Sequence, residues 1–385
     1  MKKVILIAIT LITINGLLIT TVFSENSPSP PPLVSEAALV MEADTGEILY
    51  EKNAREKMYP ASVTKIATAI YAIENGKLNE MVTVSNKARN TEGTRVYLEE
   101  GEQVTLKKLL QGLLVNSGND AGVAIAEHLS GTVELFSSDI NEYFKNTIGI
   151  HDTNFENPHG LYDANHVTTA EDLARITQYA MKNKVFAELF GTKEVEWAGD
   201  SWDTTLYAHH KLLREIPYEG VTGGKNGFVP QAGTTLVTTA KRKNLNLIII
   251  TLKSASESEA YNDTIDLLDF GFENFTTSRL STEGSYSAVD LEYIVPQEVI
   301  YTHFSDEKLR IEIKENGMLE VINFEDRIVS SQQLQRLDDN ERRDSSINEE
   351  KPEPVSDPLF SNFHYLSIAV ILIAALLYYR IRKIS

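Results

Sequence analysis

Pro60-Ala61-Ser62-Val63-Thr64-Lys65 opens an apolar-periodic stretch that runs to Glu74. Residues three apart on a helix share a face, so the Ser62 hydroxyl and the Lys65 amine can meet. A serine hydroxyl becomes a nucleophile when a neighbouring base takes its proton. A lysine serves as that base when burial or a second cation lowers its pKa. A helix start also turns backbone N–H groups and the helix dipole toward a developing oxyanion. Taken alone the pair is a weak signal. Serine at a helix start is usually a cap, and Ser305 and Lys308 repeat the spacing in what reads as a solvated turn.

Two further groups carry polar chemistry. Ser117-Gly118-Asn119 lies in a short loop between two helical runs, where a hydroxyl and a carboxamide could relay a proton and hold a substrate amide. The same Ser-x-Asn pattern at Ser346–Asn348 shows how little it means by itself. Gly223-Gly224-Lys225-Asn226-Gly227 comes just before a hairpin. Glycines there let the backbone approach a ligand, and Lys225 could hold a carboxylate; an ordinary glycine-rich loop would look the same.

These groups need a scaffold. Strand-like runs at Ala37–Met41 and Glu47–Tyr50 flank Asp44-Thr45-Gly46, and Gly233–Ala240 and Leu245–Leu252 flank the turn Lys241–Asn244. Between them, helical periodicity appears at Ser62–Glu74, Leu106–Val115, Ala121–Leu129 and Ala170–Met181. Strands at both ends with helices between them predict an α/β layer structure whose sheet joins chain-distant strands. This body spans 35–274. From 275 to 330 the pattern changes to short alternating runs, such as Leu309–Ile313 and Met318–Ile322 around Glu315-Asn316-Gly317, as in a small mostly-β domain.

The ends point to export. Met1-Lys2-Lys3, the apolar run Val4–Val22 and Ser24 read as a signal peptide, 1–24, followed by a Pro/Ser linker over 25–34. Residues 331–358 read as a disordered stalk. A run apolar on every face, Tyr365–Tyr379, followed by Arg380, Arg382 and Lys383, reads as a transmembrane anchor over 363–381 with a cytoplasmic tail. That arrangement puts the body at the cell membrane on its extracytoplasmic side. The net charge of −19 argues against nucleic acid as a partner. Absence of cysteine excludes disulfides, thiolate zinc sites and cysteine nucleophiles. His159, His166 and the pair His209-His210 form no His-Glu-x-x-His pattern, so neither metal nor cofactor is expected.

Serine–lysine, Ser-x-Asn and Lys-x-Gly in this order within one body resemble the low-molecular-mass penicillin-binding proteins, serine-type D-alanyl-D-alanine carboxypeptidases of the peptidase S11 kind. Tyr50–Ala54, Tyr59–Thr68, Asn116–Glu127, Asn157–Leu161 and Thr168–Leu173 extend the likeness, which covers roughly residues 35 to 330. The resemblance implies a DD-peptidase-like catalytic domain, with an antiparallel sheet and helices, followed by a small β domain. It implies Ser62 as the acylated nucleophile, Lys65 as proton acceptor and Ser117 as an aid to proton transfer. Asn119 would hold the substrate backbone, and Lys225, Asn226 and Gly227 would bind near its terminal carboxylate. The backbone N–H groups of Ser62 and Phe228 would hold the oxyanion. Peptidoglycan stem peptides are the implied substrates and β-lactams the implied covalent inhibitors. One departure stands out: Asn226 occupies a position where the family usually has threonine, and its longer carboxamide offers an N–H in place of a hydroxyl. A DD-endopeptidase would use the same residues, and a non-catalytic penicillin-binding wall module is the alternative that Asn226 raises. No loop glutamate of the class A β-lactamase kind is evident, and the second domain and anchor favour the peptidase.

Overall fold

The computed structural model describes residues 28–280, 286–288, 291–295 and 298–337. The strands of the body are β1 (Ala37–Glu42), β2 (Ile48–Lys52), β3 (Met81–Thr83), β4 (Gln103–Thr105), β5 (Glu194–Ala198), β6 (Asp203–Tyr207), β7 (Val221–Val229), β8 (Gly233–Arg242) and β9 (Leu245–Ser254). Its helices are α1 (Lys65–Asn75), α2 (Asn86–Arg89), α3 (Leu106–Leu114), α4 (Asn119–Ser130), α5 (Val133–Ile148), α6 (Ala170–Met181), α7 (Lys184–Phe190) and α8 (Glu257–Asn274).

Five strands form one sheet in the order β2-β1-β9-β8-β7, every neighbouring pair antiparallel. The first and last strands of the body thus meet at its centre, as expected. β1 is buried at every position because both faces of the sheet are covered. Ala37, Leu39 and Met41 join the large core with Ile66 and Ile70 of α1 and Leu173 and Ile176 of α6. Ala38 and Val40, pointing the other way, pack with Tyr261, Leu267 and Leu268 of α8. The result is helices on both faces of an antiparallel sheet.

Two long helices have no counterpart in the sequence reading, though each carries terminal signals. Thr132 caps α5 by accepting from Leu135 N, and Gly149 ends it with a left-handed φ of 71°. Ser256 caps α8 by accepting from Glu259 N, while its hydroxyl donates to the Glu259 carboxylate at 2.8 Å. The glycine-rich stretch at Gly223–Gly227, expected to lie just before the hairpin, is instead part of the edge strand β7.

Beyond α8 come β10 (Phe275–Leu280), β11 (Tyr286–Ala288), β12 (Leu291–Ile294), β13 (Val299–Phe304), β14 (Leu309–Ile313), β15 (Met318–Asn323), β16 (Ile328–Gln333) and β17 (Gln335–Arg336). Of the described residues, one compact unit holds 28–280, 298–312 and 320–332; the other holds 286–288, 291–295, 313–319 and 333–337. The division does not fall at 275, since β10 and its antiparallel partner β13 belong with the body. The second unit includes the sheet β11-β12-β17 and the turn at Gly317. Strand structure continues past Ser331, where a disordered stalk was expected to begin. The rest of that segment, and the stretches expected to be a signal peptide (1–24) and an anchor (363–381), lie outside the described residues. Among the described residues, no helix is long and apolar enough to cross a membrane.

Leu39 and Ile250 are directly opposed on β1 and β9 and fully buried. Leu39→Ala should cost ~2–5 kcal/mol in urea unfolding, the usual range for emptying a buried leucine site. Because the two side chains share one cavity, adding Ile250→Ala should give a double-variant loss different from the sum of the singles.

Candidate active site

A 3-10 turn, Ala61–Thr64, leads into α1, so Ser62 sits in that turn and Lys65 is the first residue of the α-helix. Lys65 is fully buried, and its Nζ donates to Ser62 Oγ at 2.8 Å and to the His159 carbonyl at 2.7 Å. Burial holds the Lys65 ammonium well below the usual lysine range; the charge of Lys225 lowers it further, and Asp120 pulls the other way. An amine within hydrogen-bond reach of the serine oxygen, once neutral, can turn its lone pair to the hydroxyl and act as general base.

Ala61, immediately before the serine, has a φ of +50°. An alanine in this region carries a strain of about 1–2 kcal/mol, which neighbouring groups must offset. Gly160 packs on it so closely that a Cβ there would stand 1.8 Å from the Ala61 oxygen, and Gly160 itself has a φ of +87°. Only glycine satisfies both conditions.

β7 also passes close to Ser62. A Cβ on Gly227 would lie 2.6 Å from the Ser62 nitrogen and 2.7 Å from Thr235 Oγ1, so the strand backbone is drawn against the turn. Thr235 on β8 fastens the two by donating to the Pro60 carbonyl at 2.9 Å. Phe228 follows on β7, its side chain exposed. Lys225 is buried, and its Nζ donates to the Asn226 carbonyl at 2.8 Å with Asn226 Oδ1 at 3.5 Å. A carboxamide whose oxygen faces an ammonium leaves its N–H₂ end for another partner. Burial alone brings the Lys225 pKa down to about 7.

The Ser-x-Asn loop joins α3 to α4. Ser117 is buried with a left-handed φ of 62°, a second non-glycine residue held against its backbone preference. Asn119 donates its Nδ2 to the Glu92 carbonyl at 2.7 Å. Its buried Oδ1 has no hydrogen-bond partner among the described residues, an arrangement that costs about 1–3 kcal/mol unless a ligand supplies a donor. Asp120, beside it, accepts from Val96 N and Leu98 N at 3.0–3.2 Å and so anchors the segment that borders Asn119. Burial raises the Asp120 pKa against the opposing effect of those backbone donors.

The structure therefore joins Ser62 directly to Lys65, couples Lys65 electrostatically to Lys225, and sets Gly227 against the Ser62 nitrogen. Ser117 and Asn119 come from the loop whose next residue, Asp120, acts on Lys65. The sequence reading did not single out Asp120, Thr235, Gly160 or the His159 carbonyl for the site. Asp120 had a visible signal, an acidic residue in the first turn of a helix; the others act through backbone placement that leaves no residue-type signature. Burial disfavours the charged form of four histidines: it lowers His166 and His209 to about 4 and His210 to about 3, and holds His159 well below its usual value. Among the described residues, no three His, Cys, Asp or Glu side chains gather as metal ligands.

Two outcomes follow from this geometry. Gly160→Ala should slow β-lactam acylation on the order of 100-fold, as expected for displacement of a reacting group by about 1 Å, measured by gel fluorescence with a labelled penicillin; a wild-type rate would contradict the packing described. The pH dependence has a defined sign. Lys65 must be neutral to accept a proton, so reactivity rises through its lowered pKa. Lys225 must be charged to hold an anionic substrate, so kcat/KM should fall as pH rises past about 7. Lys225→Arg, whose guanidinium stays charged, should remove that alkaline limb; an unchanged limb would assign it to another group.

Comparison with known proteins agrees with this arrangement. Residues 24–256 match the peptidase S11 family, described as D-alanyl-D-alanine carboxypeptidase. The chain is 33% identical over 253 residues to the D-alanyl-D-alanine carboxypeptidase DacF of Bacillus subtilis, covering 64% of each chain. It thus spans somewhat less than two thirds of that relative's length. Penicillin-binding protein 5 from Haemophilus influenzae superposes with a TM-score of 0.72 at 26% identity, over 81% of this chain and 99% of that one. Penicillin-binding protein 6B from Escherichia coli gives 0.70 at 27% identity, over 80% and 97%. By the match over most of its body, the chain belongs to the peptidase S11 family, the D-alanyl-D-alanine carboxypeptidases.

Proposed function

We propose that this chain is a serine-type D-Ala-D-Ala carboxypeptidase that removes the terminal D-alanine from peptidoglycan stem pentapeptides through an acyl-enzyme on Ser62. The observation that carries the reading is the buried Lys65 amine, 2.8 Å from Ser62 Oγ. With no salt-bridge partner among the described residues to keep it charged, and with burial disfavouring the ammonium, it is available as a base.

In the proposed reaction neutral Lys65 takes the Ser62 proton as Oγ attacks the carbonyl carbon of the penultimate D-alanine. The carbonyl electron pair moves to oxygen, where the N–H groups of Ser62 and Phe228 hold it. Collapse of the adduct breaks the C–N bond, and the departing D-alanine amine takes a proton from Lys65 by way of Ser117. Water then attacks the Ser62 ester, releases the shortened peptide and restores the hydroxyl. Lys225 and the Asn226 N–H₂ bind the substrate's terminal carboxylate, and the unpartnered Asn119 Oδ1 accepts a backbone N–H of the stem peptide. A β-lactam presents a similar amide, but its leaving nitrogen stays attached to the acyl group, so the ester persists and the drug inhibits covalently.

The substrate lies outside the cytoplasmic membrane, so the proposal includes export and tethering. It draws support from the Lys2-Lys3 pair with its apolar run and from Tyr365–Tyr379 with its basic tail.

D-alanine release from a peptide ending in D-Ala-D-Ala tests the reading. The wild-type protein should release it, and Ser62→Ala should lower the rate by about 10⁴-fold or more. A folded wild-type protein that releases none would sink it for this substrate. Asn226→Thr should change kcat/KM by less than about tenfold, the scale of one exchanged hydrogen bond. A gain far above that would mean that Asn226 marks a degenerate binding module.

A further inference from the structure

We propose that His166 and Thr64 are positioning residues, which set the direction and strength of the Ser62 backbone N–H through the carbonyl on the same peptide group. This rests on the reading above, in which that N–H holds the oxyanion.

The polarity of the chain of bonds is determined by its far end. Glu156 N donates to His166 Nδ1 at 3.0 Å, so Nδ1 is an acceptor and the neutral ring carries its proton on Nε2. Nε2 lies 2.8 Å from Thr64 Oγ1 and therefore donates to it. The threonine proton is left to go forward, and Thr64 Oγ1 donates to the Ala61 carbonyl at 2.8 Å. His166, Thr64 and Ala61 are all buried, and Phe155 lies against the imidazole with ring centroids 5.6 Å apart, so water does not compete for these bonds.

The Ala61 carbonyl and the Ser62 N–H belong to one planar peptide unit and point in opposite directions. Holding the carbonyl oxygen fixes the plane, and with it the aim of the N–H. A donor on the oxygen also polarises the amide and makes its N–H a stronger donor, the cooperative effect of hydrogen bonds in series. The need for such a tether is visible in Ala61 itself, whose φ of +50° opposes its intrinsic preference. Gly160 blocks this carbonyl from one side by contact, while Thr64 holds it by a directed bond. Thr64 thus sits between nucleophile and base in sequence but acts on neither side chain.

An arrangement of this kind acts on the transition state more than on the bound substrate, because the oxyanion exists only there. Thr64→Val keeps the shape of the side chain and removes the donor. With a D-Ala-D-Ala peptide, and with sites counted by labelled penicillin, it should lower kcat by about 10- to 100-fold while KM stays within about twofold, somewhat less than deletion of an oxyanion donor. Thr64→Ser, which keeps the hydroxyl, should recover most of the rate. His166→Gln, which offers an N–H in place of Nε2 and lacks the Nδ1 acceptor, should fall between. The infrared carbonyl stretch of the penicilloyl ester reports the hole directly and should move to higher frequency in Thr64→Val and return in Thr64→Ser. If Thr64→Val matches wild type per active site, or loses activity only in proportion to folded protein with the ester band unmoved, the proposal is overturned. Wild-type protein that neither turns over peptide nor forms the ester would instead overturn the functional reading on which it rests.

Discussion

A lysine amine placed out of water and, among the described residues, bonded to no carboxylate is the constraint on which the rest of the site depends. The Lys65 amine bonds to the Ser62 hydroxyl and the His159 carbonyl, and burial makes its charged form unfavourable. The same dehydration that deprives it of a proton turns it toward the serine. A glutamate partner would restore the charge and remove the base. The nearby acid, Asp120, is committed to the backbone of Val96 and Leu98 and reaches Lys65 only as a field. A second buried lysine, Lys225, adds repulsion at Lys65, and in the proposed function it holds the substrate's carboxylate. Burial thus lowers the pKa of both lysines, and at Lys65 the charge of Lys225 adds to the effect.

Around that pair the backbone is held in conformations it would not adopt freely. Ala61 and Ser117 both have positive φ, and each adjoins a residue assigned to the chemistry or is one. The strain is offset by contacts within the turn and from chain-distant segments: Thr64 and Gly160 at the Ala61 carbonyl, Thr235 at Pro60, and the Val96 backbone at Asp120. The three-layer body explains how such contacts are kept in register. β9 is buried nearly throughout and pins β1 and β8 at the centre of the sheet, and β7 at its edge lies against the serine turn.

Much of this was legible in residue types, and the exceptions have physical causes. β1 and β9 read as strands because both faces are covered, which requires continuous apolar runs. Ser62, Lys65, Ser117, Asn119 and Lys225 stood out in the sequence because three weak patterns occur in a fixed order. α8 escaped notice because acidic residues dilute its apolar stripe, although Ser256 and Glu259 mark its start. β7 resembled a loop because glycines disfavour strands. In place, those glycines admit what a side chain would exclude: the His210 ring at Gly224 and the Ser62 nitrogen at Gly227. The tether from His166 to Ala61 had no signature at all, since alanine gives no sign of a left-handed backbone.

Intact-protein mass spectrometry after incubation with benzylpenicillin, followed by peptide mapping of the adduct, bears most directly on the pairing of Ser62 with a neutral Lys65. The geometry predicts one penicilloyl group per molecule on the peptide containing Ser62, formed at neutral pH and absent in Lys65→Met. A folded protein that forms no adduct, forms it at another residue, or forms it at an undiminished rate without the Lys65 amine would contradict the assignment of base and nucleophile.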